Sequence, residues 1–477
     1  MIRVVPTGDL GLDVLLGGGW RLVKRFEERE SATVVVRGGS GTGKTLMGIQ
    51  IALELAKALD GDVVVACVEI LPTEYIAQLQ SARQAIALDR VSILPARPNS
   101  VVVPRIYVGL LAELDPERPD LVAGLEQLDK LTVVAGGRPT VFVVDSLIEG
   151  YGVGSSASRI DVDDVLKFAA RYGHGLVLCE EVGDDGASAW VFAADTVLHL
   201  GVDTRERGRW IEVRKHRFGP SATGRHELEI GSVSSQVFPA FAAWLAPWVP
   251  SALVTRGWRL NPEPALAQPL RWNGSPELQG ALICIASSVD YWAQTFAEAL
   301  RADSIETAHD TTALLIRFEA LDHSAHAWAR GSQFGAYVPI ALGPVRALRT
   351  MVECFAATFG REDEPLVSRV LIGDLAQVFS SIAADAWLET VRTFGSLVAA
   401  TGWGLPIVTY DSGGQPASVR DAVRAYADVA VMLDRWDRSM NRISASISYR
   451  WSRQSVEIEL TVPGRGADLT PRPAGRG

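Results

Sequence analysis

Residues Gly38-Gly39-Ser40-Gly41-Thr42-Gly43-Lys44-Thr45 follow the pattern G-x-x-x-x-G-K-[ST] and stand between the β-branched run Thr33-Val34-Val35-Val36 and a helical pattern from Leu46 to Leu59. A strand that passes through a glycine-rich turn straight into a helix commits the chain to packing helices on a sheet. Glycines at these positions let successive backbone N–H groups converge on phosphate oxygens at the positive end of the helix. Lys44 has the reach for the outer phosphates, and the Thr45 hydroxyl suits a magnesium ion. The segment Gly38 to Thr45 therefore predicts a cradle for a nucleotide triphosphate.

The runs that follow fit that architecture. Thr33 to Val36, Val63 to Val68, Val141 to Val144 and Leu176 to Leu178 are short and apolar, and longer amphipathic stretches separate them. Alternation of this kind predicts an α/β fold with a mostly parallel sheet flanked by helices. The run Val141-Phe142-Val143-Val144 ends in Asp145, which puts a carboxylate at the sheet edge where such folds bind ligands. Asp145 is the candidate to hold magnesium beside Thr45; an ordinary strand-end turn is the plainer reading. The run Asp62 to Val68 closes with Glu69, a carboxylate suited to orienting the attacking water. Glu74 is the second candidate for that role, and a solvated strand end is the alternative.

Composition narrows the class. The 477 residues allow two large domains, and 48% hydrophobic with 21% charged residues is the balance of a folded globular chain. No apolar run is long enough for a membrane span, and the N-terminus lacks the apolar core of a signal peptide. Cys67, Cys179, Cys284 and Cys354 form no C-x-x-C pair, so neither a zinc ribbon nor a disulfide framework is expected and a cytoplasmic location is. The net charge of −10 disfavours a broad nucleic-acid footprint while leaving room for a local basic channel.

The segment Trp210-Ile211-Glu212-Val213-Arg214-Lys215-His216-Arg217-Phe218-Gly219 ends a strand-like alternation in four basic or ionisable groups. Residues two apart on an extended segment share a face, so Lys215 and Arg217 can address one phosphate, including one bound by a neighbouring subunit. A charged, solvated edge strand has the same signature.

Thr7-Gly8-Asp9-Leu10-Gly11-Leu12-Asp13, the turn Gly17-Gly18-Gly19, the loop from Gly38 to Thr45, the strand from Val141 to Ser146 and Ala194-Asp195-Thr196-Val197-Leu198 together resemble the KaiC-like branch of the RecA superfamily of P-loop ATPases. The resemblance implies ATP and Mg2+ as cofactors, ATP hydrolysis at inter-subunit interfaces, and a homo-oligomeric ring, plausibly a hexamer. It also implies that Lys215 and Arg217 act across the interface on the neighbour's ATP. Lys215-His216-Arg217-Phe218-Gly219 is similar as well to the Lys-Asn-Arg-Phe-Gly element of the RadA recombination ATPases. The KaiC-like family often carries two glutamates after its second strand, whereas this chain has Glu69-Ile70, a departure that bears on the speed of hydrolysis.

The second half reads as a worn copy of the first. Ala281 to Ile285 matches the strand before the loop, Ala313 to Glu319 the strand ending in Glu69, and Arg369 to Asp374 the strand ending in Asp145. Leu405 to Val408 and Tyr426 to Leu433 match the last two strands, in the same order, which predicts a tandem duplication. Where the copy needs its phosphate loop it has Ser287-Ser288-Val289-Asp290-Tyr291-Trp292-Ala293-Gln294, with neither glycine nor lysine. The expected organisation is an ATPase domain over 1–246, a proline-rich linker over 247–276, a degenerate RecA-like domain over 277–463, and a flexible tail over 464–477. Glu319 and Asp374 are then relics, and His323 with His326 lacks further metal ligands nearby. The degenerate domain is a candidate site for a regulatory protein partner. Two other functions stay open: a RadA-like or RecA-like DNA-dependent ATPase, and a non-hydrolysing scaffold that assembles on nucleotide.

Overall fold

The computed structural model of the 477-residue chain describes residues 2–25, 29–68, 71–81, 91–96, 104–111, 121–147, 159–182, 189–203, 208–231 and 235–246 of the first half. In the second half it describes 282–287, 311–319, 335–339, 343–359, 366–372, 384–400, 407–411, 429–437, 442–449, 455–461 and 471–473. Glu69, the expected linker, Gln294, His323, His326 and Asp374 lie outside the described residues. The chain divides into two compact units, Met1–Arg256 and Gly257–Gly477. Among the described residues no helix is long and apolar enough to cross a membrane.

The first unit opens with a small antiparallel sheet of β1 (Ile2–Val5), β2 (Trp20–Lys24) and β3 (Glu30–Ser31), with helix α1 (Leu10–Leu15) between the first two strands. Then come β4 (Thr33–Gly38), α2 (Lys44–Ala58), β5 (Asp62–Cys67), α3 (Pro72–Ser81), β6 (Val91–Ile93), β7 (Ile106–Leu110) and α4 (Leu121–Val134). They are followed by β8 (Pro139–Leu147), α5 (Arg159–Tyr172), β9 (Gly175–Glu181), α6 (Ala189–Ala193), β10 (Thr196–Val202), β11 (Arg209–His216), β12 (Arg225–Ile230), β13 (Ser235–Phe238) and α7 (Phe241–Trp244). Ten of these strands make one sheet in the order β13-β12-β11-β10-β4-β9-β8-β5-β7-β6. Pairing is parallel from β10 to β6 and antiparallel from β10 out to β13. The four central runs are continuous apolar stretches because both faces of a parallel sheet are covered. One face is closed by Val165, Phe168 and Trp190 packed with Val35, Phe142, Val144, Leu176 and Leu178; α2 covers the other, over β8 and β9.

Two differences from the sequence expectations concern candidate residues. Strand β8 does not end at Asp145 but runs two residues further, with a register shift between Asp145 and Leu147 as it follows β9. Asp145 is therefore a residue of a central strand, 5% exposed. Strand β11 is paired to β10 along its length but to β12 only from Arg209 to Glu212, so the edge-strand reading fails for its first half and holds for the basic end from Val213 to His216, which pairs with β10.

Side-chain anchors explain much of the N-terminal motif. Asp9 caps α1 by accepting from the Leu12 amide at 2.8 Å, and the buried Asp13 carboxylate accepts from the Thr7 amide at 2.7 Å. A Cβ on Gly11 would stand 1.9 Å from the Val237 carbonyl oxygen, so only glycine lets α1 lie on β13. Asp195 likewise closes the fold: its carboxylate accepts from the Thr33 amide at 2.9 Å and pairs with Arg25. Asp62, 1% exposed, is the corresponding anchor at the N-terminal edge of β5, accepting from the amides of Arg105 and Arg138 and from the Arg105 guanidinium at 2.7 Å. Removing it leaves a partly buried arginine and two amides without their acceptor. Asp62→Ala is expected to cost about 3–5 kcal/mol in urea unfolding; a loss below about 1 kcal/mol contradicts this account.

The second unit contains β14 (Leu282–Ser287), β15 (Thr311–Glu319), β16 (Gly335–Pro339), α8 (Pro344–Phe359), β17 (Leu366–Ile372), α9 (Ala384–Ala400), β18 (Ile407–Asp411), β19 (Val429–Asp437), β20 (Arg442–Tyr449), β21 (Ser455–Thr461) and β22 (Pro471–Pro473). Its sheet runs β16-β15-β17-β18-β14-β19-β20-β21-β22. The six strands from β16 to β19 are parallel and the rest antiparallel. In chain order, this is the arrangement of β7, β5, β8, β9, β4 and β10 in the first unit. Within the stretch expected to be a free tail, Pro471–Pro473 pairs with Leu460, Glu459 and Ile458 of β21. The outermost position of the sheet suits prolines, which have no amide to offer an outer neighbour.

Candidate functional site

The loop after β4 and the start of α2 hold the motif residues. Gly39, Ser40 and Gly41 are exposed, whereas Thr42 and Lys44 are buried. Gly43 is the N-cap of α2 with φ +99°, a left-handed conformation that costs a non-glycine residue steric strain, and it offers no side-chain cap. The first amides of α2 are thus left to other acceptors. Among the described residues nothing lies within 4 Å of a Cβ built on Gly39 or Gly41. Lys44 folds back over the loop, its Nζ donating to the Gly39 carbonyl at 2.8 Å, and Thr42 Oγ1 donates to the same oxygen at 2.9 Å.

Parallel pairing brings Asp145 to this loop. Cys67 of β5, Asp145 of β8 and Cys179 of β9 are register partners in one row across the sheet. Cys179 Sγ contacts the Lys44 carbonyl at 3.6 Å, which fixes the side of the sheet that this row faces. Thr45 and Tyr75 donate hydrogen bonds to the Asp145 carboxylate, the Tyr75 hydroxyl at 3.1 Å from Oδ2. Burial raises the Asp145 pKa, and the Thr45 and Tyr75 hydroxyls and the Lys44 ammonium oppose that rise. Burial, then the Asp145 charge, pushes the Cys67 thiol up to about 12 and the Cys179 thiol and Tyr75 phenol well above their ordinary values. These neighbours stay protonated at neutral pH.

The residues fit a magnesium–triphosphate pair. A buried carboxylate linked to a threonine hydroxyl, beside a lysine and a row of uncapped amides, is a donor set for a hard cation that takes its other ligands from phosphate and water. Among the described residues no group of three or more His, Cys, Asp or Glu forms a closed metal cage.

One carboxylate was missed. Glu181 pairs in register with Gly38, and the Val182 amide donates to the Gly38 carbonyl at 3.3 Å. Strand alternation puts Glu181 on the face of Cys179, the loop side, while Glu180 turns to the other face and pairs with Arg37 at 3.2 Å. The signal was the acidic pair directly after the apolar run Leu176 to Cys179. Glu74, the second candidate for orienting water, is exposed and accepts from the Leu71 amide at 3.4 Å, as a cap of its own helix.

Lys215 and Arg217 lie elsewhere. His216 is level with Thr196 and Val34, whereas the loop begins at Gly38, level with Leu200. Four residues along a strand are about 13 Å, so the pair stands at the opposite edge of the sheet from its own loop. Lys215 Nζ donates to the carbonyls of Val191 and Phe192 at 2.8 and 2.6 Å, and Arg217 Nη2 to that of Phe192 at 2.5 Å, meeting the unpaired carbonyl end of α6. Burial lowers the Lys215 pKa, with the Arg217 charge adding to the effect.

His216 does not join its neighbours as a cation. Its Nδ1 shares a hydrogen bond with Thr196 Oγ1 at 2.9 Å, and burial, then Arg21, pushes its pKa down to about 4. Burial does the same to His226 and His174, each to about 4. Between about pH 4 and the unfolded value of 6.5 the unfolded chain binds more protons at these sites. Their stabilisation is complete above that window and is lost as pH falls through it. The urea midpoint is expected to drop between about pH 7.5 and about pH 5; His216→Gln, His226→Gln and His174→Gln together should flatten the dependence.

No protein-family model matches the chain, and no curated protein matches it.

Proposed function

We propose that the chain is a KaiC-like ATPase of the RecA superfamily that binds ATP with magnesium and hydrolyses it between subunits. The observation that carries this reading is the convergence of the Gly38 to Thr45 loop, the open start of α2 and the Thr45–Asp145 hydrogen bond at one sheet edge. The strand order β10-β4-β9-β8-β5 supports it, because one strand intervenes between the loop strand and that of Asp145. Backbone amides from Gly39 to Thr45 and the Lys44 ammonium bind the phosphates; Thr45 and Asp145 hold magnesium. Magnesium, when bound, neutralises charge on the phosphate oxygens. Glu69 remains the candidate to orient water, with Glu181 on the loop side as a second.

Lys215 and Arg217 cannot address the loop of their own chain from the far edge of the sheet, and this supports a role on the ATP of a neighbouring subunit in a homo-oligomeric ring, plausibly a hexamer. The shared strand order of the two units supports a tandem duplication, with an ATPase domain over 1–246 and a degenerate copy over 277–463 after the linker at 247–276. The copy lacks the glycines and lysine of the loop and is assigned to assembly or to a regulatory protein partner, in a cytoplasmic protein. The Glu69-Ile70 sequence favours a second reading, a nucleotide-gated scaffold with little turnover. Equilibrium ATP binding with phosphate release and particle mass, with and without magnesium, tests both. Binding with turnover supports the ATPase, binding and assembly without turnover the scaffold, and no ATP binding overturns both.

A further inference from the structure

Tyr75 and Cys179 are side chains at the Asp145 carboxylate that neither the motif nor the proposed mechanism uses, and of the two Tyr75 brings a hydroxyl from outside the sheet. It stands on α3, is 1% exposed, and its hydroxyl is 3.1 Å from Asp145 Oδ2. Its surroundings are otherwise apolar or protonated: the Cys67 and Cys179 thiols flank Asp145 on the adjoining strands. A phenol buried as deeply as this needs a hydrogen-bond partner, and the partner is the carboxylate that also accepts from Thr45. α3 begins three residues after Glu69, and Tyr75 is tied into its first turn by the bond from its amide to the Leu71 carbonyl at 2.9 Å.

We propose that Tyr75 is a positioning residue for the metal site: its hydroxyl holds Asp145 Oδ2, restricts rotation of the carboxylate, and so presents Asp145 to a magnesium ion beside Thr45. A carboxylate held by a donor on one oxygen loses less freedom when it engages a cation, as second-layer donors do for metal ligands generally. The proposal rests on the nucleotide reading above and adds to it a residue outside the motif.

The test is Tyr75→Phe, which removes one oxygen and keeps the ring. The magnesium concentration for half-maximal ATP binding and phosphate release is expected to rise about tenfold, the scale of a hydrogen bond to a charged group. ATP affinity measured in a chelator should stay unchanged. In an Asp145→Asn background the Tyr75→Phe change should add no further shift, because the residue it acts through is gone. An unchanged magnesium requirement in Tyr75→Phe, with a wild-type chain that shows magnesium-dependent binding, overturns the proposal and leaves the nucleotide reading standing. A wild-type chain that binds no ATP overturns the nucleotide reading itself. If Tyr75→Phe does not fold, the near-ultraviolet tyrosine difference spectrum of the ATP-loaded wild type on adding magnesium takes its place: a perturbation that Asp145→Asn abolishes supports the proposal, and its absence overturns it.

Discussion

Lys44→Ala is expected to lower ATP affinity by at least about a hundredfold and to abolish turnover, without loss of fold. The size follows from truncating one partner of a charge-assisted contact to phosphate in a half-enclosed site, which costs several kcal/mol when the other charge is left unpaired. The fold should survive because alanine is a strong helix former and the hydrogen bond that Lys44 makes to the Gly39 carbonyl lies within its own loop. Thr42, which donates to the same oxygen, keeps the loop closed. Calorimetric titration with ATP and magnesium reads the affinity, and urea unfolding reads the fold. Wild-type affinity in Lys44→Ala would remove the phosphate role of the loop.

Arg217→Ala is expected to reduce turnover about a thousandfold or more while leaving ATP affinity within a few-fold of wild type, the pattern of an arginine that stabilises charge only as the phosphoryl group transfers. A residue of the same chain's site would give the same loss, so the decisive measurement is a mixture. Lys44→Ala chains carry an intact Arg217, and Arg217→Ala chains carry an intact loop; each is inactive alone. Mixed rings contain interfaces where an intact loop meets an intact arginine, and turnover should reappear in proportion to them. Failure of the mixture to regain activity, with co-assembly verified by mass, would return Arg217 and Lys215 to the role their contacts show, capping the carbonyl end of α6. The magnesium titration of Tyr75→Phe is independent of this outcome, because it reads the loop edge of the sheet and not the edge that holds Lys215 and Arg217.

What could be read along the chain was whatever depends on near neighbours in sequence. Gly43 takes a left-handed backbone where the loop enters α2, so the need for glycine there is visible within the octapeptide from Gly38 to Thr45. The central strands were visible as apolar runs because both their faces are covered. Asp145 was found because a carboxylate interrupting such a run is conspicuous, although its strand continues past it.

Contacts made across strands left no such trace. Tyr75 and Asp145 are seventy residues apart, and nothing near either one announces the other; parallel pairing of β5 with β8 and the packing of α3 bring them together. Glu181 gained meaning only when β9 was found beside the loop strand, with the pleat sending it to the loop side and Glu180 to Arg37. Lys215 and Arg217 look the same in sequence whether they stand beside their own loop or away from it, and the register of β10 against β4 and β11 places them at the far edge of the sheet. Local chemistry is dictated by backbone conformation and is written in consecutive residues. Which side chains meet is decided by strand order and register, which depend on burial summed over the whole sheet.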